Sequence, residues 1–415
     1  MVRRRIRVAR LAPALAALTF CALLGPAPAQ AATGPRTATV EEQRLAGPVP
    51  KEILERSGFS DVAPEFTRAL DGVRSAEAAR RLVAREGTRL WQRAVDRVQG
   101  RGPAGGDLSR DDDRPLYWAR LGLTRELRLW EPQFTLSDAD RAALIDSLEQ
   151  TSRGQKSVRY PEGKGFKRVL VTGFDPFTLD SDIRISNPSG ATALALDGTW
   201  LRTPDGQLAR IEAVTFPVRW QDFADGAVER ALTPVLPKVD AFTTVSQGRV
   251  GRIDVERFNG AWRGGFWDNV DASSTGTVPV SDPASQPQWT RTTLPYQRIV
   301  AAKTGPFPVY DHTDVTEIPA GATTPVDRPD GPTPDSAARA GGGGDYLSNE
   351  IAYRATLLRD RLGLGIPGGH VHTPVLEFGP GNTDPGTGTV SDPQFVRNRL
   401  DIVAQMRAIV AVAAQ

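Results

Sequence analysis

Cysteine is almost missing from this chain. The one example, Cys21, lies in a segment that reads as a leader, so the chain without that segment holds no thiol. Such a protein has no disulfide, no cysteine metal site and no cysteine nucleophile. An excess of charge of one sign is also missing. The 51 Lys and Arg residues against 49 Asp and Glu leave a net charge of +2, which gives no reason to expect nucleic acid or an acidic polymer as partner. After the first 31 residues no apolar run approaches the length of a bilayer crossing, so no stable membrane span is expected. What is present is ample apolar content, 40% of 415 residues, sufficient for a sizeable core and for two domains.

The first 31 residues read as a signal peptide. Arg3, Arg4, Arg5, Arg7 and Arg10 precede the apolar stretch Leu11 to Leu24, and Ala29-Gln30-Ala31 is an A-x-A cleavage site. This predicts a secreted, extracellular protein. A lipid anchor through Cys21 fits poorly, because bulky Phe20 stands immediately before it.

Residues 32–155 predict a helical N-terminal domain or cap. The segment up to Ser75 is irregular apart from a short helix near Lys51 to Ser57. Ser75-Ala76-Glu77 opens a long helix whose apolar stripe is Ala79, Leu82, Val83, Leu90, Trp91, Ala94, Val95 and Val98. Arg85, Arg89, Arg93 and Arg97 recur every four residues on another face, where a solvated surface is expected. Pro115 and Ser137 mark two further helix starts. No chemistry is legible in this part of the chain.

The character changes at Lys167. Arg168 to Phe174, Ile211 to Phe216 and Val239 to Val245 read as buried strands, separated by helices at Ala191 to Leu196 and Phe223 to Leu236. This alternation predicts an α/β fold, a mostly parallel sheet covered on both faces, with ligands at the carboxyl ends of the strands. Residues 260–340 form a loop-rich insertion with short strand-like pieces such as Tyr296 to Ala301, a composition that fits a lid, a rim or an oligomer contact. Within it Asp311-His312-Thr313-Asp314 reads as an ordinary turn rather than a metal ligand group. The last helix begins at Ser391-Asp392-Pro393 and is expected to bury Phe395, Val396, Leu400, Val403, Met406 and Val410.

Candidate chemistry gathers in three segments. Gly341 to Gly344 is a loop that lets backbone approach a ligand closely, and the helix after it places Ser348 at or just inside its N-terminus. There a hydroxyl either caps the helix or stands where a nucleophile would, close to N–H groups that favour negative charge. Ser246 to Phe258 carries Glu256, and Gly368 to Pro374 carries His372. Glu256, Ser348 and His372 thus offer an acid, a nucleophile and a base.

Five ordered stretches are similar to the type I pyroglutamyl peptidases, also called pyrrolidone-carboxylate peptidases. They are Val169 to Phe177 followed by Asn187-Pro188-Ser189, then Phe216-Pro217-Val218, Ile253 to Arg257, Tyr346 to Asn349 with Tyr353, and Val371 to Pro374. The resemblance covers about residues 167–412. It implies a three-layer α/β/α sandwich that removes N-terminal pyroglutamate from peptides without a cofactor, and it implies association between copies. His372 would be the general base, oriented by Glu256. Phe174 and Phe177 would flank the lactam ring, and Asn187 and Gln247 would complete the substrate pocket. The family's nucleophile is a cysteine, whereas this chain has Ser348. A hydroxyl must lose its proton during attack, where a thiol is partly ionised beforehand. Three readings follow: a Ser-His-Glu hydrolase, a catalytically silent protein that binds pyroglutamyl peptides, or an interaction module acting through the helical region.

Overall fold

Before the first strand of the computed structural model, which describes residues 36–415, the chain is helical. The signal-peptide reading of residues 1–31 and the lone Cys21 lie outside the described residues. Helix α1 (Val40–Gln43) is closed by a capping box between Thr39 and Glu42. Then follow α2 (Pro48–Ser57), α3 (Val62–Asp71), α4 (Ala76–Val98), α5 (Arg114–Leu129) and α6 (Asp138–Thr151). Segment 36–75 is therefore more helical than its composition predicts. The Ser75 and Ser137 hydroxyls cap α4 and α6, each accepting from a backbone N–H in the first turn. Leu82, Leu90, Trp91, Leu116, Leu123, Leu127 and Leu148 form the core of this half, and Leu194 of the α/β half completes it.

The arginine stripe of α4 is not uniformly solvated. Arg85 and Arg89 are exposed. Arg97 is buried, and its guanidinium donates to the carbonyls of Ala104, Leu108, Ser109 and Arg110 at 2.6–3.0 Å, tying down the loop before α5. The helix bends no rule here; the following loop simply folds back over its last turn.

The second half is built on a seven-stranded sheet. Its members in chain order begin with β1 (Phe166–Phe174), β2 (Trp200–Arg202), β3 (Leu208–Phe216), β4 (Ala241–Gln247) and β5 (Ile253–Glu256). The insertion then adds short ribbons, with β6 (Phe258–Gly260) against β9 (Trp289–Arg291) and β7 (Trp262–Gly264) against β8 (Thr275–Thr277). After β10 (Val309–His312), β11 (Val315–Ile318) pairs with both β12 (Val326–Arg328) and β13 (Ala337–Ala340). Strand β14 (Gly368–Thr373) completes the main sheet, whose order is β10-β5-β14-β4-β1-β3-β2. The pairs β1/β3, β1/β4, β4/β14 and β5/β10 are parallel, while β5/β14 and β2/β3 are antiparallel.

Helices cover both faces, giving three α/β/α layers. On one face α7 (Pro188–Leu196) and α12 (Pro393–Ala413) pack over Val169, Val171, Ile211, Val245, Val255 and Val371. On the other, α8 (Trp220–Ala224), α9 (Ala227–Leu232) and α11 (Leu347–Arg361) cover Leu170, Phe216 and Phe242. The expected helix over 223–236 is split by Gly226, which adopts φ +76°. Tyr296–Ala301 is a helix, α10, not a strand; it follows Pro295 and buries Ile299 against the first of these cores. On α12 the buried stripe runs Phe395, Arg399, Ile402, Met406 and Ile409, so Leu400 faces solvent at 48% exposure. No helix among the described residues is long and apolar enough to cross a membrane.

Thr37–Gln415 form one compact unit, and the two halves share buried ion pairs. Asp175, in the loop that leaves β1, is held by Arg120 of α5 and by Arg153 just after α6, the latter at 2.5 Å. Trp91 Nε1 donates to Asp197 at 3.0 Å, and Gln99 Nε2 donates to the carbonyls of Leu194 and Asp197 at 2.9 and 2.7 Å.

Candidate active site

Strand pairing brings the candidate acid and base together. Residues directly opposite one another, or two apart on a strand, share a face of the sheet. In register, Glu256 lies opposite His370 of β14, which puts His372 on the same face one pleat further along. Glu256 Oε1 accepts from His372 Nδ1 at 2.7 Å, leaving Nε2 of that ring without this partner. Both side chains are buried. His370, whose ring meets that of His372 edge to face at 4.6 Å, is held between the Thr244 and Ser246 hydroxyls at 2.8 Å each. Burial, and then the neighbouring His372, push His370 well below the ordinary histidine range, so it stays neutral.

Strand β10 adds a residue that was read from the sequence as part of a turn. His312 ends a strand, in register beside Glu256 on the other side. Its Nδ1 lies 2.6 Å from Glu256 Oε2. The carboxylate is therefore shared by two imidazoles. Burial alone would raise the pKa of Glu256, but the hydrogen bonds from His312 and His372 outweigh it and hold the group well below the usual carboxylate range. For His312, burial works against the charged form, yet the hydrogen bond and charge of Glu256 raise its pKa above the ordinary value. The signal available in the sequence was scarcity. The chain has three histidines, and all three lie at this one place.

The glycine loop packs directly over the pair. A Cβ on Gly342 would lie 2.1 Å from Glu256 Oε2, and one on Gly343 would lie 3.2 Å from His372 Cε1. Only backbone without side chains fits there. Tyr346 is the N-cap of α11, so Ser348 is the second helical residue, in the first turn where N–H groups lack intrahelical acceptors. That turn is anchored on both sides. The Asn349 side chain exchanges hydrogen bonds with the backbone of Gly260, at 2.9 and 2.8 Å, and Glu350 is paired with Arg263 and Arg354 at 2.6–2.8 Å. The Ser348 hydroxyl donates to the Gly343 carbonyl at 2.9 Å and makes no hydrogen bond to His372.

The residues implied for the substrate pocket do converge. Phe174, Phe177, Asn187, Gln247 and Ser348 line one small cavity of about 50 Å³, together with Val218, Ser246, Tyr346 and Leu347. Phe174 is nearly buried and stacks against Phe223, while Phe177 faces Tyr346 across 6.3 Å. Asn187 lines the cavity with its amide already engaged. It donates to the Asp175 carbonyl at 2.8 Å and accepts from the Ser189 N–H and hydroxyl at 3.0 and 2.8 Å, so it fastens the β1 loop to α7. Its own N–H donates to Asp113, from the helical half, at 3.0 Å. Among the described residues no group of three or more His, Asp or Glu is arranged to hold a metal ion.

Comparison with known proteins places the chain as a whole. Residues 25–149 match the family described as the PA0049 N-terminal domain, and residues 168–281 and 307–377 match the PA0049 C-terminal domain. The uncharacterized protein PA0049 of Pseudomonas aeruginosa is 35% identical over an alignment of 463 residues, covering 87% of this chain and 84% of that protein. The chain belongs to the PA0049 family. Among solved structures, pyroglutamyl peptidase I of Bacillus amyloliquefaciens is 21% identical, with a TM-score of 0.40, over 60% of this chain and 97% of its own. The pyrrolidone carboxyl peptidase of Thermococcus litoralis is 18% identical, with a TM-score of 0.40, over 60% and 93%. In this member of the PA0049 family the helical half holds the loop between Phe174 and Phe177 through Arg120 and Arg153, which pair with Asp175.

Proposed function

We propose that the protein is an exported serine-type hydrolase that removes N-terminal pyroglutamate from peptides, or cleaves a closely related amide. The observation that carries this reading is the buried His372–Glu256 hydrogen bond, made through Nδ1, with Gly343 packed against the His372 ring and accepting from the Ser348 hydroxyl. A carboxylate on Nδ1 fixes the tautomer in which Nε2 can accept a proton. Ser348 Oγ attacks the amide carbonyl carbon while His372 Nε2 takes its proton. The same proton passes to the departing amine, leaving an ester on Ser348, and a water activated by His372 then hydrolyses it. The free N–H groups of the first turn of α11 favour the negative charge that develops on the carbonyl oxygen. Phe174 and Phe177 offer the apolar slot that a small neutral lactam requires.

One observation favours a second reading, a silent binder of pyroglutamyl peptides. The Ser348 hydroxyl is committed to Gly343, and attack requires it to leave that carbonyl and turn to His372. Release of a fluorescent amine from a pyroglutamyl amide by the wild type, Ser348→Ala and Ser348→Cys separates the two. Turnover that the Ala variant loses supports the serine hydrolase. A silent wild type whose Cys variant gains turnover supports the binder, and a silent set that also fails to bind a pyroglutamyl peptide sinks both.

A further inference from the structure

The shared carboxylate is more than a His-Glu pair needs. A general base is oriented by one carboxylate oxygen, and the second is ordinarily satisfied by a backbone N–H or water. Here the second oxygen receives an imidazole delivered by a strand that the insertion contributes to the edge of the sheet. Pairing of β10 with β5 is parallel and in register over Val309–His312, and it continues past the site through the Arg257 N–H, which donates to the His312 carbonyl at 2.9 Å. His312 is 5% exposed in its side chain and Glu256 is 0% exposed. Such burial is costly for a carboxylate unless the charge is met by hydrogen bonds or an opposite charge.

We propose that His312 is a second imidazole partner of Glu256, a positioning residue that fixes the carboxylate and governs how much of its charge His372 receives. The inference rests on the reading of Glu256 and His372 as an acid–base pair, but its geometry stands without any assumption about substrate. Two Nδ1–H groups compete for one carboxylate. While His312 carries a proton on each nitrogen, part of the negative charge is neutralised on its side. When it loses that proton with rising pH, Glu256 supports His372 more fully. The other charged groups around His312 are Asp254 on β5, Arg249 in the loop that precedes β5, and Asp314, whose Oδ2 stands 3.6 Å from His312 Nε2. Asp311, on the strand itself, is engaged by Arg257 at 2.9 Å. His312 Nε2 is buried and makes no hydrogen bond, so the Asp314 carboxylate at 3.6 Å is the nearest group that could receive its proton.

A protein with three histidines gives an unusually direct test. In nitrogen-15 histidine NMR of the wild type, two low-field Nδ1–H resonances are expected, one from His372 and one from His312. Glu256→Gln should abolish the carboxylate signature of both. His312→Gln, which keeps a neutral donor, should remove one resonance and move the other further downfield. In the wild type, the His372 resonance should follow the loss of the His312 proton as pH rises. A single low-field resonance in the wild type, or a His372 signal indifferent to His312→Gln, overturns the proposal; the wild-type spectrum decides even if the variant does not fold. If the wild type turns over a pyroglutamyl amide, His312→Gln should raise kcat at pH values where wild-type His312 is protonated, with little change in KM, because the neutral donor leaves more of the carboxylate's charge to His372. An unchanged kcat again overturns it. Absence of turnover in the wild type defeats the hydrolase reading alone, since the spectra need no substrate.

Discussion

Replacing Arg153 by Met would test whether the helical half of the molecule holds the pocket in shape. Arg153 NH1 lies 2.5 Å from Asp175 Oδ2, and its Nε lies 2.9 Å from Glu149 Oε2. The Arg153 and Asp175 side chains are 2% and 5% exposed. Methionine keeps much of the stem and removes the charge. Asp175 then retains Arg120 on one oxygen and has nothing on the other, while Glu149 falls back on Arg219 at 3.3 Å. Removing one partner of a buried ion pair costs about 3–5 kcal/mol, because the charge left behind stays desolvated. For a chain of this length, at roughly 2 °C per kcal/mol, the unfolding midpoint should fall by about 6–10 °C. The exposed pair Arg80–Asp140 supplies the control, with side chains 60% and 40% exposed. Arg80→Met should cost about 1 kcal/mol or less. Thermal and urea unfolding of both variants makes the comparison. If Arg153→Met were no worse than Arg80→Met, the helical half would not be securing the loop between Phe174 and Phe177, and the two halves would be energetically separable.

Two further outcomes follow from close packing around the site and at the end of α4. Gly342→Ala sets a Cβ 2.1 Å from Glu256 Oε2, where ordinary contact starts at 3.4 Å, so the carboxylate must yield by about 1.3 Å, the difference of the two. Neither imidazole bond survives such a shift, so the variant should stay folded by circular dichroism yet lose about a hundredfold in any turnover the wild type shows; full retention of that turnover would refute the geometry. Arg97→Met leaves four carbonyls without their donor and should destabilise by at least about 3 kcal/mol, since a hydrogen bond to a charged group is worth about 1.5–3 kcal/mol. Arg89→Met, on the exposed face, should fall within about 0.5 kcal/mol of the wild type by urea unfolding.

Much of the layout was legible because it is locally encoded. Helix starts at Ser75, Ser137 and Asp392 announce themselves by a capping side chain that accepts from a backbone N–H within three residues. The β-branched runs of β1, β3 and β4 mark strands buried on both faces. Where the reading failed, a distant partner had overridden the local pattern. Leu400 looks like a core residue by type, but the stripe of α12 that meets the sheet passes through Arg399, whose guanidinium pairs with Asp111 in the helical half at 2.7 Å. Tyr296 to Ala301 has the composition of a strand, yet no ladder receives it, and a short helix buries Ile299 instead.

The same division holds at the site. Glu256, Ser348 and His372, with Phe174, Phe177, Asn187 and Gln247, were singled out because their segments carry recognisable order along the chain; the structure joins Glu256 to His372 and sets Ser348 with the other four around one cavity. Residue types also determined that Cys21 is the one thiol available in the chain. Tertiary structure alone decided which groups share the carboxylate. His312 is 56 residues from Glu256 along the chain, and only the parallel register of an inserted edge strand sets the two side by side. It also decided that Arg120 and Arg153, unremarked in the sequence, clamp the loop of the pocket. Periodicity and capping act over a few residues and can be read in order, whereas strand register and buried ion pairing arise only when remote segments compete for the same neighbour.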